Sequence, residues 1–125
     1  MKAPLTLLLV EDLADLRVVL RRTLVAHGYQ VLEAGDAEEA LRLADGDGVS
    51  IDLLLTDWQL PRMNGRELAR SLAARHPAVK VLLTSGQLDA LAEGMDWLEG
   101  RGEYLAKPYD LDVMLAALRR LCRPS

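Results

Sequence analysis

IDLLLTDWQLPRMNG, residues 51–65, reads as a buried strand that ends on a carboxylate. The apolar-leaning run from Ile51 to Thr56 is followed by Asp57, and Pro61 and Gly65 then break any regular continuation. Such a strand delivers a carboxylate to the edge of a sheet, with a loop opening behind it. In an open parallel sheet, ligand chemistry gathers outside the carboxyl ends of the strands. Asp57 stands where such chemistry is expected, although a single aspartate after a strand serves equally well as a cap or turn residue. Its company elsewhere in the chain separates the two readings.

Upstream, Leu5 to Val10 is a near-continuous apolar run, as a central strand covered on both faces requires, and it ends in Glu11 and Asp12. Residues 15–27 carry Leu16, Val19, Leu20 and Leu24 at helical spacing, and Gly28 stops them. Tyr29 to Glu33 is a short strand. A second helix starting at Asp36 or Ala37 turns Ala40, Leu41 and Ala44 inward and ends at the Asp-Gly-Asp-Gly of 45–48. Downstream, Asn64-Gly65 opens a third helix with Leu68, Leu72 and Ala73 on one face, ending near His76-Pro77. Val79 to Leu83 is a fourth strand, closed by Thr84-Ser85-Gly86. Residues 88–99 predict a weak fourth helix, because Gly94 interrupts it and Gly100 and Gly102 follow. Glu103 to Ala106 is a fifth strand ending in Lys107-Pro108, and Asp110 caps a last helix with Leu111, Met114, Leu115, Leu118 and Leu121 inward. Strand and helix alternate five times. The fold class is therefore α/β, a (βα)5 doubly wound five-stranded parallel sheet with helices on both faces.

The bulk properties agree. A chain of 125 residues is one domain, long enough to bury a core without disulfides or metals. No apolar run approaches the length that spans a bilayer. The amino terminus, MKAPLTLLLVED, is too short in its apolar part and lacks a small-residue cleavage site, so it reads as the first strand and the protein as cytoplasmic. Cys122 has no partner for an internal disulfide, and neither His27 nor His76 has a second ligand at metal spacing. A net charge of -4 argues against a nucleic-acid surface. Arg119, Arg120 and Arg123 are explained by the carboxyl end of a helix, where positive charge suits the dipole.

In this fold the carboxyl ends of the first, third, fourth and fifth strands hold Glu11 with Asp12, Asp57, Thr84 and Lys107. Each has an ordinary reading as a cap or a turn, but all fall on one sheet edge. Two carboxylates 4 Å apart repel by roughly 4 kcal/mol at an effective dielectric near 20. Three of them call for a cation, and a hard divalent ion with oxygen ligands fits: Mg²⁺, or Mn²⁺ in its place. Lys107 adds a point charge and Thr84 a hydroxyl donor. Together they make a site that holds a phosphoryl group, with Asp57 as the attacking carboxylate.

LLVED at 8–12, DWQLPRMNG at 57–65, LLTSG at 82–86 and YLAKP at 104–108 also form a set. In this order and spacing the chain resembles the receiver domain of two-component response regulators, the CheY-like superfamily, over essentially its full length, 1–125. The resemblance implies a flavodoxin-like strand order 2-1-3-4-5 and an aspartyl phosphate on Asp57, drawn from the phosphohistidine of a histidine kinase or histidine phosphotransfer protein. Asp12 and Asp57 would bind Mg²⁺ through side chains and Gln59 through its backbone carbonyl, with Glu11 assisting through water. Lys107 would pair with the phosphoryl oxygens, Thr84 would move toward them, and Tyr104 would swing inward. Gln59 and Gly86, flanking the site, would influence the lifetime of the phosphate. A downstream protein partner, or a second copy in a homodimer, would meet the face running from the fourth helix through the fifth strand to the last helix.

The chain departs from the family pattern at 94–103, GMDWLEGRGE, where a small-residue pair usually leads into the last strand. Its three glycines predict a loosened fourth helix, and Trp97 reads as core rather than as an exposed anchor. Two enzyme-like or cofactor-binding readings are weaker. A phosphatase of the haloacid dehalogenase type needs a second aspartate where Gln59 stands, so the chain is not expected to act on external substrates. A flavin site needs a hydroxyl- and glycine-rich loop where Glu11-Asp12-Leu13 would repel a phosphate. Within the receiver reading, a stand-alone switch, a phosphorelay intermediate and a receiver belonging to a larger regulator or hybrid kinase are all compatible. Met1 is consistent with a natural beginning. The alternative from a different class is an interaction module that works without phosphorylation.

Overall fold

The computed structural model describes residues 4–86 and 101–122. Its strands are β1 (Thr6–Val10), β2 (Gln30–Ala34), β3 (Leu53–Asp57), β4 (Lys80–Ser85) and β5 (Gly102–Ala106). The helices described are α1 (Ala14–Ala26), α2 (Ala37–Ala44), α3 (Gly65–Arg75) and α4 (Leu111–Cys122). All strand pairs are parallel, in the order β2-β1-β3-β4-β5. This is the flavodoxin-like α/β arrangement: the parallel sheet is the one expected from the alternation of elements, and the strand order is the one the resemblance implies. The expected helix over 88–99, with Gly94 and Trp97, lies outside the described residues.

The central strands are apolar through their buried middles, Leu7–Val10, Leu53–Leu55 and Val81–Leu83, because both faces are covered. Successive side chains of a strand point to opposite faces. Leu8, Val10, Leu54, Val81 and Leu83 therefore pack under α2 and α3, against Ala40, Ala44, Leu68 and Leu72. Leu7, Leu9, Leu53, Leu55 and Leu82 meet α1 and α4 on the other side, against Leu20, Leu24, Met114 and Leu118. Helix starts follow local chemistry. Asp36 accepts from the Glu39 N–H at 2.8 Å and Asn64 from the Glu67 N–H at 2.8 Å, capping α2 and α3. His76 ties three elements at the far end of the sheet. Its Nε2 lies 2.9 Å from the Ala44 carbonyl, and its Nδ1 accepts from the Ile51 N–H at 3.4 Å.

Several boundaries and faces differ from the sequence reading. β3 runs from Leu53 to Asp57 rather than from 51 to 56, because Asp52 is occupied at the strand's entry. Its carboxylate accepts from the Thr6 N–H at 2.8 Å, closing the start of the neighbouring strand. β2 is shifted by one residue, to Gln30–Ala34. Val19, predicted inward, is 48% exposed, since the buried stripe of α1 follows Leu20 and Leu24. Leu111, also predicted inward, is exposed at the first position of α4.

The corrected stripe is testable by denaturation. Leu54→Ala, in the fully buried centre of β3, should lower stability by about 2–5 kcal/mol. Val19→Ala should stay within about 0.5 kcal/mol of the parent, as surface substitutions do. A loss of core magnitude at Val19 would contradict the observed face of α1.

Candidate functional site

Strand register assembles the site. Asp57 lies opposite Thr84 across β3 and β4, and Ser85 lies opposite Ala106 across β4 and β5. Two further backbone bonds extend the ladder past the strand ends: Trp58 N–H to the Thr84 carbonyl at 2.7 Å, and Lys107 N–H to the Ser85 carbonyl at 2.8 Å. Asp57 and Lys107, fifty positions apart, are thus held at one edge. Lys107 Nζ reaches Asp57 Oδ2 at 2.7 Å. The peptide bond from Lys107 to Pro108 is cis.

Glu11 and Asp12 arrive from the end of β1. One carboxylate oxygen from each of Glu11, Asp12 and Asp57 lies within 4.8 Å of the other two. All three are hard oxygen donors, the chemistry that suits a divalent cation of the Mg²⁺ or Ca²⁺ kind, so this cluster could bind a metal ion. Asp12 is exposed to solvent, while Glu11 is only 3% exposed. Burial pushes the Glu11 carboxyl above its ordinary range. The Leu13 N–H, 3.1 Å from Oε2, opposes this, Asp12 adds to it, Lys107 opposes it and Asp57 adds to it. Tyr109 is pushed up to about 12, first by burial and then by the charges of Glu11 and Asp57.

The remaining predicted residues fall around this core. Gln59, two residues after Asp57, has its N–H 3.2 Å from Asp57 Oδ1. Thr84 is buried at the end of β4, and Gly86 comes just after it on the surface. Tyr104, on β5 opposite Leu83, is 38% exposed, an outward position in this state. Trp58 is 8% exposed and packs into the core beneath the α2 and α3 face.

Two contributors were missed in the sequence. Gly65 was read as a break and a helix start, but its backbone also passes against that of Asp57. A Cβ there would run into the Asp57 carbonyl oxygen, while the Gly65 N–H donates to Trp58 O at 2.7 Å. Tyr109 sits two residues after Lys107, and only its place behind the YLAKP motif marked it. Beside the site an apolar cleft of about 410 Å³ opens between α1 and the start of α4, lined by Leu16, Leu20, Lys107, Pro108, Tyr109 and Leu111.

Comparison with known proteins agrees with this geometry. The family model of the response regulator receiver domain matches residues 7–119. The response regulator RppA of Synechocystis sp. is 33% identical over 121 residues, covering 95% of this chain and 51% of that protein. The transcriptional regulatory protein CpxR of Escherichia coli is 35% identical over 121 residues, covering 95% and 50%. This chain therefore spans about half the length of these curated relatives. A response regulator from Burkholderia pseudomallei, solved with a phosphorylated aspartic acid, a calcium ion and citrate, superposes with a TM-score of 0.78 at 28% identity, covering 91% of this chain and 66% of that one. The chain belongs to the response regulator receiver family. Receiver domains are signalling switches of two-component systems rather than enzymes acting on external substrates.

The pKa direction of Glu11 gives a sign to its effect. A carboxyl raised in the folded state contributes stability below its ordinary value near 4.3, and loses it as pH rises through the folded value. Glu11→Gln should therefore raise the Tm of the metal-free protein at pH 7. The gain should shrink as pH falls toward 4. Adding a divalent cation should narrow or reverse the difference, because the parent then gains more. A Tm at pH 7 lower in Glu11→Gln than in the parent without metal would contradict the assigned cause.

Proposed function

We propose that residues 1–125 form a single phosphoryl-accepting switch domain, with Asp57 as the acceptor. The observation that carries this is the Asp57 carboxylate between the Lys107 ammonium at 2.7 Å and the Glu11–Asp12 carboxylates. One oxygen, Oδ2, is held by the lysine. The other, Oδ1, faces the Gln59 N–H at 3.2 Å. The carboxylate attacks phosphorus of a phosphohistidine, the P–N bond breaks, and the imidazole nitrogen leaves with the bond's electron pair. Asp12, Asp57 and the Gln59 carbonyl, with Glu11 assisting, would hold Mg²⁺, which would supply charge neutralisation for the transferring group. Lys107 shifts from the carboxylate to the new phosphoryl oxygens, and the Thr84 hydroxyl donates to them.

The domain catalyses its own phosphorylation and dephosphorylation and nothing else, and it works in the cytoplasm. No helix among the described residues is long and apolar enough to cross a membrane. The phosphodonor is a histidine kinase or phosphotransfer protein. The apolar cleft suits a helix of that donor, because Lys107 lines both the cleft and the acceptor site. Leu111→Glu, at its rim, should slow transfer from a phosphorylated histidine phosphotransfer protein while leaving labelling by acetyl phosphate unchanged. Equal rates from the protein donor would remove the cleft from the docking surface. Output passes through the Tyr104 side of the sheet to a downstream protein or a second copy of the chain, with Gln59 and Gly86 setting how long the signal lasts.

The direct test is incubation with acetyl phosphate and Mg²⁺, followed by intact mass. One added phosphoryl group is expected, requiring Mg²⁺ and absent in Asp57→Asn. An adduct that persists in Asp57→Asn would move the acceptor elsewhere, and no adduct in either protein would favour an interaction module independent of phosphorylation.

A further inference from the structure

The turn carrying Glu11 and Asp12 has an unusual support. α1 follows it with Leu13 at the cap position and no side-chain cap. Such a start leaves orphan N–H groups and a loosely held entry. Two contacts substitute for the cap. Glu11 Oε2 accepts from the Leu13 N–H at 3.1 Å, which uses one oxygen of a group within the acidic cluster. Arg17, one turn into α1, reaches back with Nη1 to the Glu11 carbonyl at 2.7 Å. The same guanidinium lies with Nε 3.6 Å from Glu33 Oε1, and Glu33 is also held by Arg21 at 2.9 Å. Gly35 leaves the room: a Cβ there would lie 3.1 Å from Arg17 Nη1. The Glu11 N–H is fixed in turn by the Ala34 carbonyl at 3.1 Å.

We propose that Arg17 is a positioning residue for the divalent cation: it clamps the Glu11 backbone between α1 and the end of β2, so that the Glu11 and Asp12 carboxylates converge on Asp57. This rests on the phosphoacceptor reading above. Without the clamp, the turn is held on that side by the Glu11 carboxylate itself, and mutual repulsion among the three acids can swing Glu11 and Asp12 apart. Arg17 also places a fixed positive charge behind the acids, where it does not compete for their oxygens. Partners that orient metal ligands typically carry about 10–100-fold of the affinity.

The test compares the parent with Arg17→Met, which keeps an unbranched stem, and with Arg21→Met. Arg21 shares the helix and Glu33 but has no bond to the Glu11 carbonyl. Mg²⁺ affinity is read by calorimetry and by the fluorescence of Trp58 beside Asp57, with Tm as the measure of folding. Arg17→Met should weaken Mg²⁺ binding by about tenfold or more, and Arg21→Met should leave it within twofold. Labelling by acetyl phosphate should need correspondingly more Mg²⁺ in Arg17→Met and return to the parental rate at saturation. Arg17→Lys, which keeps the charge and one donor, should recover part of the affinity. Unchanged Mg²⁺ affinity in Arg17→Met, with or without a lower Tm, would reduce Arg17 to a structural role and overturn the proposal. Equal weakening in Arg17→Met and Arg21→Met would assign the effect to Glu33 and overturn it as well. Absence of Mg²⁺ binding in the parent would instead remove the phosphoacceptor reading on which the proposal rests.

Discussion

Mutual repulsion between Glu11, Asp12 and Asp57 is the constraint around which this edge of the molecule is built. Their oxygens converge within 4.8 Å, a separation at which carboxylates in an ordinary loop would move apart. Asp57 is the last residue of β3, and Glu11 and Asp12 follow directly from the end of β1, so the sheet sets where all three start. β1 and β3 are adjacent in register from Leu7 against Leu53 to Val10 against Thr56, and both are buried on two faces. The packed sheet opposes a repulsion of roughly 4 kcal/mol per pair at close range. Lys107 relieves part of it by pairing with Asp57 Oδ2, and it is on the spot only because β5 adds to the far side of β4. Burial is the main cause that holds the Glu11 carboxyl above its ordinary range, with Asp12 and Asp57 adding to it and Lys107 opposing it. A divalent ion bound to the cluster would offset this repulsion.

The same geometry ties a change of charge at Asp57 to a change of shape on the proposed route of signalling. Asp57, Thr84 and Leu105 are lateral neighbours across three strands. On the proposed reading, a phosphoryl group on Asp57 would displace the lysine from its carboxylate oxygen and present new acceptors toward Thr84. Inverting a two-state population from 1:99 requires about 5.5 kcal/mol of differential stabilisation. A hydrogen bond to a charged group supplies about 1.5–3 kcal/mol. Thr84 alone falls short, so the lysine contact and the repacking of an apolar group must share the work. Tyr104, outward on β5 and next along the strand to Leu105, has apolar surface still to bury.

How much of this was legible in the sequence depended on how local the cause was. The strands were readable because double burial demands unbroken apolar runs, as in Leu7 to Val10. The site acids were readable because they terminate such runs and parallel topology sends all strand ends to one edge. Entry points were less clear: Asp52 belongs in sequence to the third apolar run, but its carboxylate is spent on Thr6, forty-six positions away. Val19 fits a helical stripe as well as Leu16 does. Only the packing partners fix how far α1 is rotated, and they leave Val19 outside. Gly65 carried a helix-start signal that concealed its second role. Arg17 looked like any solvated arginine on a helix, since its acceptor is a backbone carbonyl and carbonyls leave no mark in a sequence.

That last case points to a division of labour in the site. The groups proposed to act on the phosphoryl group, Asp57 and Lys107, sit at the ends of strands and are positioned by the hydrogen-bond ladder, which continues through Trp58 and Lys107 beyond the strands proper. The groups that would hold a cation, Glu11 and Asp12, sit on a turn leading into a helix without a side-chain cap. A capped entry would fix that turn by its own sequence and make it indifferent to what binds. Here the entry is fixed instead by Glu11 Oε2 and by Arg17, so groups of the acidic cluster take part in holding the start of α1. Any ion that draws the Glu11 carboxylate toward itself competes with the Leu13 N–H for it, and the load on the Arg17 clamp then rises. α1 also forms one wall of the apolar cleft through Leu16 and Leu20. The acidic cluster and the cleft thus meet on one helix, whose first turn is held by Glu11 and Arg17 and whose Leu16 and Leu20 line the cleft.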